Sequence, residues 1–279
     1  NNIFSEKIFF KYYENKKKYS DLKKFYSKFL KAIKNKKRLK IVTFSDKSFE
    51  MYASIASIFL SNNIWIPLSY NLPINRLVNI FNTSNPDILT IDKNSQLLKN
   101  KLFFNYLKKK KIKIITYSYI NNLEISKNEI KKKKIDGKNL SMIFFTSGST
   151  GAPKGVCVTY NSFISCFMAK KKFLYKNNKN LVFGDYHDPS FVISLVIFFP
   201  CLYLSGTISP SQNLLENLNP IRHIEDNNIN VLITVPSTIN SISSIKKNKL
   251  NTKIKLMIMC GEPFSLKLAD YIFKKLKPK

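Results

Sequence analysis

Three of the chain's seven glycines, Gly148, Gly151 and Gly155, fall within eight residues. They belong to the segment Thr146-Ser147-Gly148-Ser149-Thr150-Gly151-Ala152-Pro153-Lys154-Gly155. In a glycine-poor chain such clustering has a local cause. Glycine permits unusual φ/ψ and removes the Cβ that would keep an anion away from main-chain N–H groups. Ser147, Ser149 and Thr150 add hydroxyl donors, and Lys154 adds a compact positive charge. The chemistry these residues suit is the holding of phosphate groups. The segment is not a Walker A loop, because Lys154 is preceded by Pro153 and followed by Gly155. Nor is it a G-x-S-x-G nucleophile elbow, because Gly148-Ser149-Thr150-Gly151 has the wrong spacing.

Such a loop needs rigid elements on either side. Ser141-Met-Ile-Phe-Phe145 reads as a strand leading in, and a helix is expected from about Tyr160, its N-terminus near the same anion. Upstream, helices are expected at 19–33, 48–60 and 73–82, and strands at 39–44, 64–68, 87–91 and 113–116. The polar, Lys-rich stretch 124–138 reads as a solvated connector. Downstream, strands are expected at 182–183, 231–235 and 256–259, with helices at 191–204, 220–227 and up to about 276. Strands alternating with helices predict an α/β fold with a mostly parallel sheet.

Composition sets further bounds. Hydrophobic residues make up 44% of the 279, enough for a sizeable core. The net charge is +30, yet Arg38, Arg76 and Arg222 are the only arginines. Lys, Asn and Ile enrichment is what AT-rich codons produce, and without an aromatic-and-Arg pattern no specific nucleic-acid partner is expected. The cysteines at 157, 166, 201 and 260 form no C-x-x-C pair, so buried free thiols in a reducing cytoplasm are expected rather than disulfides or a metal site. The polar N-terminus shows no signal peptide, and the apolar run 191–204 is shorter than a membrane span.

With its flanking strand, the loop resembles the signature of the adenylate-forming (AMP-binding) enzymes: acyl- and aryl-CoA synthetases, luciferases and amino-acid adenylation domains. Trp65-Ile-Pro-Leu68 with Pro73-Ile-Asn-Arg76, Thr234-Val-Pro-Ser-Thr238 and Cys260-Gly261-Glu262-Pro263 resemble further motifs in the same order. The resemblance runs from about residue 20 to the end. It is nearest to D-alanine–carrier protein ligase and peptide-synthetase adenylation domains. It implies the large N-terminal domain of that family, in two parts, 1–138 and 139–279, the second with phosphate loop and substrate pocket.

The resemblance also implies roles. Thr146, Ser147, Gly148, Ser149, Thr150, Gly151 and Lys154 would contact the ATP phosphates, and Cys260 to Pro263 would form the turn beside adenine and substrate. Phe191, Val192, Ile193, Val196, Thr234 and Ile258 would line a small apolar substrate pocket together with Cys260. ATP and Mg²⁺ are implied, with a carboxylic or amino acid as substrate. The acceptor would be a thiol of CoA or of a carrier-protein phosphopantetheine. Amino-acid members carry Asp after the pocket aromatic, where this chain has Val192. Either the substrate lacks an α-amino group, or Asp185 or Asp188 takes over, or the site has decayed. The family's later Tyr-Gly-Pro-Thr-Glu segment and its C-terminal lid domain with the catalytic Lys do not occur in these 279 residues. The fragment alone is therefore expected to be inactive. The other readings are an acyl-CoA ligase and a non-catalytic remnant that binds nucleotide.

Overall fold

Short runs of β-branched residues alternating with amphipathic segments build two six-stranded sheets. The computed structural model describes residues 6–125, 135–147, 153–174, 179–243, 251–276 and 278. Two compact units result, one of residues 1–20 with 167–279 and one of residues 21–166. The chain starts in the first unit with a hairpin, β1 (Ile8–Tyr12) and β2 (Asn15–Lys18). Helix α1 (Tyr19–Ala32) carries it across the boundary.

The unit 21–166 contains β3 (Lys40–Phe44), α2 (Phe49–Leu60), β4 (Ile64–Pro67), α3 (Ile74–Ser84), β5 (Ile88–Ile91), α4 (Gln96–Lys99) and α5 (Lys101–Lys109). It continues with β6 (Lys113–Thr116), α6 (Tyr117–Asn122), β7 (Leu140–Ser147) and β8 (Pro153–Thr159). The strand order is β6-β5-β3-β4-β7-β8, parallel except for β8. Ser48 opens α2 by accepting the Met51 N–H, which satisfies one of the helix's orphan donors. Asn85 ends α3 in the left-handed region at φ 45°, the place where a richer sequence would use glycine. Val42, Ile66, Leu77, Phe81, Leu89 and Phe103 belong to one buried cluster. The Trp65 indole N–H is satisfied inside by Thr43 Oγ1 at 2.8 Å.

Helix α7 (Tyr160–Leu174) returns the chain to the other unit. There follow β9 (Val182–Asp185), α8 (Val192–Tyr203), β10 (Thr207–Pro210), α9 (Leu214–Leu218), α10 (Pro220–Asn227) and β11 (Val231–Thr234). The last elements are α11 (Pro236–Ser243), β12 (Leu256–Met259) and α12 (Leu266–Tyr271), extended by a π-helical turn at Ile272–Leu276. The order is β12-β11-β9-β10-β1-β2, again parallel except for the last strand. Among the described residues no helix is long and apolar enough to cross a membrane.

Three expectations are corrected. The chain does not divide at 138: β7 pairs with β4 through Trp65↔Met142, so the loop strands complete the sheet of the earlier residues. The helix expected from about Tyr160 is present as α7, but strand β8 separates its N-terminus from the loop. Gly155-Val-Cys-Val-Thr159 is rich in strand-forming residues and pairs back on β7 from Ser147↔Pro153 to Leu140↔Thr159. The N-terminus of α7 thus lies at the opposite end of the hairpin from the loop, roughly 20 Å away at strand rise. Only Cys201 is buried, its thiol pushed well up by burial and then by Asp185. Cys157 on edge strand β8, Cys166 on α7 and Cys260 beyond β12 are free and exposed.

One polar cluster holds the N-terminal hairpin in place. Glu216, on α9, points inward and is 8% exposed. Its carboxylate accepts Tyr12 O–H at 3.0 Å, Tyr13 O–H at 3.1 Å and Gln212 N–H at 2.9 Å. Burial pushes its pKa up, but the donors, from Gln212 and the two tyrosines, together with nearby His223, outweigh this and the net shift is downward. Burial, followed by the Glu216 hydrogen bond, drives the Tyr13 phenol up to about 12. A carboxylate with a depressed folded pKa contributes stability above its unfolded pKa and loses it as pH falls through the folded one. Glu216→Ala should therefore cost about 2–4 kcal/mol near neutral pH, from three donors left without an acceptor. The deficit relative to wild type should shrink in acid, below the ordinary glutamate range. Urea unfolding at pH 7 and pH 3.5 checks both; an equal deficit at the two pH values refutes the assignment.

Candidate functional site

The loop's described flanks belong to the unit 21–166. Because β7 runs parallel to β3–β6, its end at Ser147 lies at the carboxyl end of those strands, the side on which open α/β sheets hold ligands. Thr146 and Lys154 are cross-strand partners, both exposed, and Ser147 opposes Pro153. The hairpin thus presents a hydroxyl and an ammonium at the base of the loop. Gly148, Ser149, Thr150 and Gly151 lie outside the described residues. Gly155 is not in the left-handed region; a Cβ there would meet Ile143 Cγ2 at 3.2 Å and Phe145 Cζ at 3.3 Å. Its role is to leave room for the facing Phe145 ring, an aromatic set across from a strand glycine.

The other sequence-derived positions fall in the unit 1–20 with 167–279. They follow three strands of one parallel sheet. Asp185 to Ser190 leave β9, Thr234 and Val235 end β11, and Cys260 to Pro263 leave β12. Parallel pairing of β11 with β12, Thr234↔Met259, brings the last two segments together at the carboxyl edge. The Cys260 N–H donates to the Thr234 carbonyl at 3.2 Å. Glu262 then takes the Ser237 N–H at 2.8 Å and the Ser237 O–H at 2.9 Å, closing the turn onto the first turn of α11. Gly261 has φ 86°, a conformation that a side chain would strain, and it makes the reversal possible.

Helix α8 packs against β9, β10 and β11. Asp188 prepares its start: Oδ1 accepts the Ser190 N–H at 2.9 Å and O–H at 2.6 Å, and its carbonyl accepts the Ser194 O–H at 2.7 Å. Tyr186, just after β9, is buried and bonded to His223 Nδ1 at 2.7 Å. Burial holds its phenol well above the ordinary range. The first turns of α8 present Phe191 and Val192, 64% and 59% exposed, with half-buried Ile193 and Val196. Ile258 on β12 is also half-buried. The start of α8 thus exposes an apolar surface. Thr234 differs: it is fully buried and its Oγ1 has no hydrogen-bond partner.

Sequence reasoning named the Cys260–Pro263 turn and the Thr234–Thr238 segment but not their joint, Ser237 with Glu262. No local signal announces a pair 25 residues apart. Among the described residues no group of three or more His, Cys, Asp or Glu is placed to hold a metal ion.

The family model described as AMP-binding enzyme matches residues 3–278. A D-alanine–D-alanyl carrier protein ligase of Listeria monocytogenes serovar 1/2a is 24% identical over 266 residues, 92% of this chain and 50% of that protein. A nonribosomal peptide synthetase of Aspergillus flavus is 23% identical over 246 residues, 83% of this chain and 3% of that protein. Among solved structures, the o-succinylbenzoate CoA synthetase of Bacillus subtilis, in complex with its acyl-adenylate intermediate, superimposes with a TM-score of 0.81 at 17% identity. That match covers 98% of this chain and 55% of that one. The NpsA N-terminal subdomain of Klebsiella oxytoca, in complex with 3-hydroxybenzoyl-AMSN, gives 0.77 at 15% identity, over 97% and 66%. The chain thus spans about half the length of the Listeria ligase and of the Bacillus synthetase.

The Glu262 clamp yields a direct test. Glu262→Ala should uncap α11 and free the turn, worth about 1–2 kcal/mol of local stability by analogy with lost caps. Amide hydrogen exchange of residues 256–265 should rise roughly tenfold with little change elsewhere. Unchanged exchange there would show that the turn is held by other contacts.

Proposed function

Because the chain belongs to the AMP-binding enzyme family, we propose that it provides the ATP- and acid-binding part of an adenylate-forming ligase. The observation that carries this reading is the hairpin that holds a Gly/Ser/Thr loop with Thr146 and Lys154 paired at its base, at the carboxyl end of a parallel sheet. In the reaction, an oxygen of the substrate carboxylate attacks the ATP α-phosphorus. The bond from that phosphorus to the bridging oxygen breaks, pyrophosphate leaves, and an acyl-adenylate remains. A thiol, of CoA or of a carrier-protein phosphopantetheine, then takes the acyl group and releases AMP.

Proton transfer by side chains matters little in the first step; charge neutralisation and alignment matter most. Loop N–H groups, the hydroxyls of Thr146, Ser147, Ser149 and Thr150, and the Lys154 ammonium would hold the β- and γ-phosphates and stabilise the leaving pyrophosphate. The described residues offer no ready metal cage. Mg²⁺, bound together with ATP, would add positive charge at the phosphates beside Thr146 and Lys154. The turn Cys260–Pro263 would border adenine and acid, and Phe191, Val192, Ile193, Val196, Thr234 and Ile258 the acyl tail. The buried, unpartnered Thr234 hydroxyl is consistent with a ligand-facing role.

Substrate-dependent ATP–pyrophosphate exchange by the natural protein containing this chain tests the proposal. Lys154→Ala should lower exchange by roughly 10²-fold, the usual effect of removing one preorganised donor from a developing anion. Exchange that persists undiminished removes the loop from the reaction.

A further inference from the structure

We infer that the acid activated at this site is one without an α-amino group, an uncharged acyl or aryl carboxylic acid. The inference rests on the adenylation reading above and concerns the same site. An α-ammonium held next to a reacting carboxylate needs an anion beside it, because a desolvated unpaired ammonium is strongly disfavoured. The sequence alone left open whether Asp185 or Asp188 could be that anion. The structure shows both at work elsewhere. Asp185 is 1% exposed and accepts the His187 N–H at 3.1 Å. Asp188 Oδ1 accepts both Ser190 donors, at 2.9 and 2.6 Å, in the turn that starts α8.

The remaining acids between β9 and the Cys260 turn are also engaged by the chain's own donors. Glu262 has both oxygens on Ser237. Glu216 takes Tyr12, Tyr13 and Gln212. Glu225 accepts the Asn251 N–H at 2.7 Å, and Asp226 pairs with Arg222 at 3.4 Å. What the first turns of α8 offer a ligand is aromatic and aliphatic: Phe191, Val192, Ile193 and Val196. Such a surface stabilises apolar tails and sets no anion beside an ammonium.

The test is calorimetric titration of the natural protein with non-hydrolysable acyl-adenylate mimics in matched pairs. The pairs are propionyl- against alanyl-sulfamoyladenosine, and 3-phenylpropionyl- against phenylalanyl-sulfamoyladenosine, with AMP as reference. Within at least one pair the des-amino mimic should bind about tenfold tighter or better, a 1.4 kcal/mol difference. Val192→Asp should reverse that order, and Val192→Asn, of similar shape without the charge, should not; Val192 is 59% exposed, so neither change disturbs the core. Equal or tighter binding of the amino-acid mimics by the wild type overturns the inference while leaving the adenylation reading standing. Failure of AMP and of all four mimics to bind overturns the adenylation reading itself.

Discussion

The antiparallel pairing of β7 with β8 fixes both ends of the segment 148–152 and ties it to the sheet of its unit. Register runs unbroken from Met142↔Val158 to Ser147↔Pro153, so the loop is closed by a ladder rather than by a helix cap. β7 also pairs in parallel with β4, which ties the hairpin to the sheet built by residues 40–116. The ladder's own edge, β8, stays largely exposed, with Val156 49% accessible.

In the second unit the same principle works through parallel strands. Three neighbouring strands, β9, β11 and β12, end at one edge of the sheet, and the segments that leave them carry the positions of interest. Short local bonds then set each segment: Asp188 to the start of α8, Cys260 N–H to Thr234, Glu262 to Ser237. In this part of the chain the carboxylates serve as structural acceptors. With 17 acids against 47 basic residues, acids are scarce, and those in this region are spent on backbone and side-chain donors. That scarcity gives the apolar surface of α8 its chemical meaning.

The compositional drift also shows in the backbone. With seven glycines in 279 residues, many left-handed positions carry other residues, among them Asn35, Asn62, Asn85, Asn180 and Asn228. Asparagine tolerates that region because its short amide can bond locally, at some cost relative to glycine. Two of the glycines sit where a side chain would be crowded or strained: Gly155 opposite Phe145, and Gly261 at φ 86° in the reversal beyond β12. High positive charge and few glycines therefore modify the surface and the turns without altering the architecture.

Periodicity and end signals were enough to read most elements. Helix 220–227 and strands 113–116 and 256–259 fall where the pattern puts them, because each depends on local burial rhythm and end signals. The glycine–hydroxyl–lysine run is likewise legible from residue types alone, as groups suited to an anion. Contacts distant in sequence were not legible. That Val156 to Thr159 forms a strand before the helix at Tyr160 depends on β7 offering it an edge to pair with. That Glu216 faces Tyr12 and Tyr13, and Glu262 faces Ser237, depends on strands meeting across the fold. Whether Asp185 and Asp188 are available to a ligand is likewise decided by their neighbours in space. A sequence specifies which groups exist and their local rhythm; only packing decides which donors each acceptor meets, and so which charges are left for chemistry.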